Sequence, residues 1–320
     1  MKNTKLYITA GILLILDGLI ILFGTFVWLN MDFKKLNTKN YTTKTFEVKD
    51  SFNNIEINLT TTDLTLEKTD DEVCRIECID EDKIIHTVEI KNDTLIVDTK
   101  DTRKWYDFIS VSFGNNMKMM VYLTKDQFEN LRINTDTGKV NIPNSFSFEN
   151  IKIDGNTSNI ACNSSAKNNI EIETDTGKIE VTEISANKIK LSTDTGHICL
   201  KKTKIQDSIE IESDTGKIEI GNIRAYKLTA ENNTGKITFT DVICQESLTL
   251  QTDTGDINLE ECDAKEITVN TGTGDVFGTI LSGKIFTAKT STGKISVPES
   301  TPDGICKIHT DTGNINIKIK

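Results

Sequence analysis

Histidine is scarce in this chain. His86, His197 and His309 are the only three in 320 residues, and none has a second histidine near it in the pattern. No Ser–His or Cys–His arrangement is visible, so nucleophilic catalysis has no evident base. Aromatic residues make up 6% of the chain, and residues 131–320 hold few beyond Phe146, Phe148, Tyr226, Phe239, Phe277 and Phe286. An aromatic platform for sugars is therefore unsupported. Basic charge is also in deficit: 37 Lys and Arg face 48 Asp and Glu, a net charge of −11, which argues against a nucleic-acid partner. Seven cysteines is an odd number, so complete internal pairing is impossible. Cys74 and Cys78 lie four apart on one face of a strand, a spacing that suits neither a zinc knuckle nor a redox motif. No metal, cofactor or catalytic residue is assigned from the sequence.

What the chain has in excess is one turn. Thr-Asp-Thr-Gly-Lys, or a close variant, recurs ten times at intervals of 19 or 20 residues. Its glycine falls at Gly138, Gly177, Gly196, Gly216, Gly235, Gly255, Gly274, Gly293 and Gly313, with Ser158 filling the slot after Gly138. A period that regular means stacked supersecondary units. Within a unit, Ile179, Val181, Ile184, Ile189 and Leu191 alternate with polar residues, the mark of half-buried strands. The offsets recur at Ile218, Ile220, Ile223, Leu228 and Ala230, and at Ile257, Leu259, Cys262, Ile267 and Val269. One unit cannot bury its apolar face alone; stacked at about 4.8 Å, ten would make a rod of roughly 45–50 Å. Ile179, Ile198, Ile218, Ile237 and Ile257 are expected in one ladder.

The turn residues read as structural. Glycine permits a corner with φ > 0, and a β-branched replacement is expected to cost about 1–3 kcal/mol. Thr precedes the glycine slot in all ten copies. Asp136, Asp175, Asp194, Asp214, Asp253 and Asp311 are expected to cap their own turns, balanced by Lys139, Lys178, Lys217, Lys236 and Lys294. Cys162, Cys262 and Cys306 fall at inward offsets, Cys199 at an outward one, and Cys244 near a turn.

The first half differs. Residues 6–30 are nearly all apolar, long enough to span a bilayer as a helix, with Asp17 the interruption. An uncleaved anchor is preferred to a signal peptide, since no small-x-small site follows Trp28. Lys2 and Lys5 on one side are nearly balanced by Lys34, Lys35 and Lys39 on the other, so orientation is weakly set. A bulk outside the cytoplasm is the favoured reading. The domain plan is an anchor helix over 1–35, a polar tether over 36–52, a β-rich cap over 53–130 and solenoid repeats over 131–320. Lys91-Asn92-Asp93 reads as a hairpin tip. No comparable cap follows Gly313, and Lys318 and Lys320 are expected to blunt that edge.

Several chemical motifs fail on the same periodicity. Asp-Thr-Gly is the aspartic-protease tripeptide, but that chemistry needs two loops facing across a dyad rather than a column. A calcium roll would need a glycine-rich nonapeptide, which is missing. Apolar residues do not recur every six, against a hexapeptide acyltransferase. The paired Thr ranks sit at a corner, not on the flat face an ice-binding surface needs.

The layout resembles the bacterial putative adhesin family, domain of unknown function 4097, over about residues 45–320. NNIEINLTTTDLTL, TLIVDT, MMVYLTKDQFENLRINTDTGKV and the recurring T-D-T-G-K-I carry the resemblance. It implies a β-solenoid that often follows an anchor helix, with some members linked to envelope stress and no catalytic residues to carry over. The reading is an all-β, parallel β-solenoid of about ten coils, preceded by one transmembrane helix. Its expected task is non-enzymatic binding or scaffolding at the cell envelope, with the bilayer as one partner and a protein or cell-wall component as another. The alternatives are a glycan-active enzyme on a β-helix and a cytoplasm-facing partner of an envelope sensor.

Overall fold

The structure, a computed structural model, describes residues 2–28, 41–105 and 117–320. Helix α1 (Lys2–Trp28) comes first. Among the described residues no helix is long and apolar enough to cross a membrane; the described side chains of α1 run unbroken only over 11–25. The expected anchor over 1–35 and the first part of the tether thus extend onto 29–40, outside the described residues.

The tether expected over 36–52 is corrected in its middle: Tyr41–Val48 is strand β1. Its alternation explains this, since Phe46 and Val48 point inward and pack on the core. Six strands follow: β2 (Asn54–Leu59), β3 (Thr62–Lys68), β4 (Cys74–Glu81), β5 (Ile84–Lys91), β6 (Thr94–Asp101) and β7 (Met117–Leu123). β2 and β3 form a true first coil, parallel to the coil that begins at Gln127: Ile57 pairs with Ile133 and Leu64 with Val140. β6 and β7 lie one level further out, parallel to β2 and β3. The actual lid is antiparallel: β5 on β6, β4 on β7, and β1 on β4. The β5–β6 hairpin turns at Asn92 and Asp93, φ 50° and 61°, at the expected tip.

The coils continue through β8 (Gln127–Ile142), β9 (Ser147–Cys162), β10 (Ser165–Thr182), β11 (Ser185–Thr234), β12 (Ile237–Thr254), β13 (Ile257–Cys262), β14 (Glu266–Thr273) and β15 (Val276–Ile280). All pairings between successive coils here are parallel. The expected ladder exists. Val140, Ile160, Ile179 and Ile198 stack in register, as do Ile218, Ile237, Ile257 and Val276. The contact of Gly216 with Gly196 joins the two runs. Every member of this ladder is at most 1% exposed. Each such side chain stabilises by about 1.5–3 kcal/mol relative to exposure, which only stacking makes available.

The corners explain the turn. A Cβ on Gly177, Gly216, Gly235, Gly255, Gly274 or Gly313 would lie within 2.0 Å of a carbonyl oxygen in the adjoining coil. The glycine is demanded by its neighbour as much as by its φ of 143–158°. Three residues before it, the Thr side chain points inward: Thr174, Thr193, Thr252, Thr271 and Thr310 are at most 2% exposed. The hydroxyl donates to the glycine carbonyl of the adjoining coil at Thr271, to Gly255 at 3.1 Å, and at Thr310, to Gly274 at 3.1 Å, whereas those of Thr193 and Thr252 are buried without a partner. Ser158 fits because Gly155 replaces that Thr. A Cβ on Gly155 would sit 3.0 Å from the Ser158 Cβ, so the serine side chain uses the space the Thr vacates. The opposite corner is left-handed without glycine, with φ of 52–58° at Glu183, Lys202, Asn222, Asp241 and Glu261.

The last coils are not in chain order. After β15 the chain lays β16 (Ile285–Thr292) and β17 (Ile295–Ser296) one level too far out. Strands β18 (Ile305–Thr312) and β19 (Ile315–Ile319) then return to fill the level between. β18 pairs with β14 on one side and β16 on the other, and β19 with β15 and β17. The edge expected at the final INIKIK is therefore internal, and Lys320 pairs with Glu261 instead of guarding an end. β16 and β17 form the outer level, where Ile285 and Ile295 are 49% and 46% exposed. Beneath the crossover the Lys284 ammonium is buried against Asp263 at 2.6 Å.

Candidate functional site

The lid holds a polar cluster that the repeats lack. On β4, alternation aims Cys74, Cys78 and Asp80 inward, and on β5 it aims His86 toward them. Cys78, Asp80 and His86 are all buried, and one ligand-type atom from each lies within 4.8 Å of the others. The Asp80 Oδ1 atom accepts from His86 Nδ1 at 2.7 Å and from the Cys78 thiol at 3.5 Å. Its Oδ2 atom meets the Lys44 ammonium of β1 at 2.6 Å. The His86 Nε2 atom lies 3.2 Å from the Thr62 hydroxyl, which is fully buried at the start of β3. Burial pushes the Asp80 carboxyl up, but hydrogen bonds from Lys44 and His86 outweigh it and hold the group below the usual range. Burial, reinforced by Asp80, pushes the Cys78 thiol up to about 12.

The Thr62–His86–Asp80 line has the hydrogen-bond order of a hydrolase triad. Thr62 and His86 are at most 1% exposed, so a substrate carbonyl has no approach to the hydroxyl. Cys78, Asp80 and His86 could instead hold a small cation, since they offer sulfur, oxygen and nitrogen at short range. Sequence reasoning missed this set because no motif spacing marks it. The available signal was the alternation of Cys78 and Asp80 beside a histidine one hairpin away.

All seven cysteines are free and buried. Burial pushes Cys74, Cys244, Cys262 and Cys306 up to about 12, and Cys162 to about 11. Cys199 lies at an outward offset, as expected, yet is only 4% exposed. Its register partner Glu180 pairs with Lys178 at 2.6 Å, and next to it His197 meets Glu219 at 3.2 Å; long side chains cover a short one.

The Asp column is also placed differently. Asp136, Asp175, Asp194, Asp214, Asp253 and Asp311 are exposed at the corner. Asp136 and Asp214 take side-chain amides, from Asn156 at 3.1 Å and Asn233 at 2.9 Å, rather than backbone N–H groups of their own turns. Capping comes from the residue after the glycine slot and acts between coils. Asn159 accepts from the Lys178 N–H at 2.9 Å, and Asp256 from the Asp275 N–H at 2.9 Å. Lys178 and Lys217 pair with Glu180 and Glu219, not with the Asp column, because a residue two positions along lies on the same strand face.

A hollow of about 410 Å³ opens on the flank where the ladder steps from Phe148 down to Ala166 and Ala186. Glu149 is the sole acidic residue lining it and is paired with Lys167 at 3.1 Å. Two converging carboxylates, which glycoside hydrolysis needs, are not found in that hollow.

Parallel coils closed by an antiparallel lid define the chain as an all-β, solenoid-like protein of about ten turns. Residues 52–208 and 202–320 match the profile of Toastrack DUF4097, and the chain belongs to that family. Similar solved structures include a "putative adhesin" from Bacteroides fragilis, 16% identical with a TM-score of 0.43, covering 87% of this chain and 97% of that one. Another "putative adhesin", from Parabacteroides distasonis, is 11% identical with a TM-score of 0.42, covering 87% and 97%. A "putative lipid binding protein" from the same organism is 13% identical with a TM-score of 0.39, covering 87% and 97%. No curated protein matches the chain.

Proposed function

We propose that this chain is a non-enzymatic, membrane-anchored solenoid that binds or scaffolds at the bacterial cell envelope, with envelope stress as one setting. The observation that carries this reading is the repetition of the outer faces. Polar residues occupy outward offsets in coil after coil and pair between coils: Lys152 with Glu171 at 2.8 Å, Lys188 with Asp207 at 3.3 Å, Lys202 with Glu183 at 2.9 Å, Lys307 with Glu266 at 2.7 Å. A surface of paired polar residues continued over many coils suits an extended partner. It gives no single place for the convergent groups a reaction requires.

The anchor rests on α1. Ile12, Leu13, Leu14, Ile15, Leu16, Leu19, Ile20, Ile21, Leu22 and Phe23 are each 48–72% exposed. Ten such side chains on a 27-residue helix are stabilised by hydrocarbon rather than water. Alkaline carbonate extraction of membranes tests this: the chain stays in the pellet, and release into the supernatant would refute the anchor. Protease added to intact cells degrades the solenoid if it faces outward. Full protection, with cleavage only after lysis, would favour the cytoplasm-facing alternative. Release of soluble fragments from purified cell wall by the chain would favour the glycan-active enzyme.

A further inference from the structure

We propose that Cys78, Asp80 and His86 form a binding site for a divalent transition-metal ion of zinc type, set in the lid of the rod. The donor chemistry is a thiolate, a carboxylate and an imidazole, a set that borderline-soft Zn²⁺ accepts. The distances can be compared with those a tetrahedral ion imposes. Bonds of about 2.3 Å to sulfur and about 2.0 Å to oxygen and nitrogen separate S from O by about 3.5 Å and N from O by about 3.3 Å. Cys78 Sγ and Asp80 Oδ1 are already 3.5 Å apart. His86 Nδ1 and Asp80 Oδ1, at 2.7 Å, are at hydrogen-bond distance and must part by about 0.6 Å as the metal replaces the shared proton.

The surroundings fit the same assignment. Lys44 holds Oδ2 and leaves Oδ1 facing the cysteine and histidine, which fixes the carboxylate as a one-oxygen ligand. Thr62 stands at the opposite ring nitrogen of His86. Once Nδ1 binds metal, Nε2 carries the proton and donates it to the Thr62 hydroxyl, the outer partner that metal-bound histidines normally have. The Cys78 thiol loses its proton to solvent on binding, so that thiolate and carboxylate face the dication while Lys44 stays on the far carboxylate oxygen, which leaves the cluster with one net positive charge. Lys44, 40% exposed, is the one of these partners that reaches solvent.

The test is a Co²⁺ titration of the purified, reduced, full-length chain, freed of metal by chelation. The expected result is a saturable thiolate-to-cobalt charge-transfer band in the near ultraviolet, displaced by Zn²⁺. Cys78→Ser loses the band and Cys74→Ser keeps it, with the far-ultraviolet circular dichroism of each recorded to show that the strands persist. Thr62→Val weakens the affinity by about 10–100-fold, as loss of an outer partner does. No band in the wild-type chain overturns the proposal by itself, whatever the variants do. So does a band that survives Cys78→Ser or disappears in Cys74→Ser. The outcome is independent of whether the rod binds or scaffolds anything.

Discussion

Replacing Gly216 by valine puts a side chain where two coils touch. A Cβ built on Gly216 lies 1.5 Å from the carbonyl oxygen of Gly196 and 2.7 Å from its carbonyl carbon, at a φ of 158°. Relieving that overlap needs a displacement of about 1.5–2 Å between coils spaced about 4.8 Å apart, which breaks flanking ladder bonds. Two lost bonds cost about 1 kcal/mol each. Overpacking adds about 1–3 kcal/mol, and the backbone conformation about 1–3 kcal/mol. The total is about 4–8 kcal/mol, above the 1–3 kcal/mol that φ alone would suggest. Gly221→Ala is the control in the same coil, since its nearest atoms would be at ordinary contact distances of 3.6 and 3.8 Å. Urea unfolding followed by circular dichroism compares the two, with the slope watched because repeat arrays lose cooperativity when one coil fails. Coincident midpoints for Gly216→Val and Gly221→Ala would refute the carbonyl-contact argument.

Three further outcomes follow from the same geometry. Ile218→Asp buries an unpaired carboxylate in the ladder and lowers the thermal midpoint sharply, whereas exposed Lys217→Asp stays within about 0.5 kcal/mol; equal shifts would contradict the inside–outside assignment. Asp80 has a folded pKa below its unfolded value, so its contribution is present above about pH 4, the unfolded value, and is lost as pH falls through the lower folded value. Acid titration of Asp80→Asn is expected to show a flatter stability curve in that window, and an unchanged slope would remove the ion pair from the account. The exposed Asp column is expected to bind no calcium tightly, with no saturable heat in titration calorimetry with Ca²⁺; a micromolar site lost in Asp175→Ala with Asp194→Ala would make the column functional.

The coil repeat was legible because period and alternation are properties of single residues in order. The inward ladder and the corner glycines follow from that pattern alone. The Ser158 exception was legible as an exception, but its reason, the exchange of Thr for Gly155 three residues earlier, needed the contact to be seen. Coil order at the C-terminal end was not legible, because skipping one level leaves every inner offset unchanged. Its trace in the sequence is Pro298 and Pro302, two of the three prolines in the chain, in the returning loop. The lid cluster was hidden for the opposite reason: antiparallel pairing brings together residues that no period links.

The returning strand pair also sets a timetable. On a chain made from the N-terminus onward, each coil up to β15 can dock on a level already made as it appears. β16 and β17 cannot, because the level beneath them belongs to residues 305–319, still to be synthesised. The outermost turn must therefore wait, unpaired, until the segment that locks it has arrived. A chain interrupted at 304 loses two levels rather than one, and its exposed edge is the coil ending at β15.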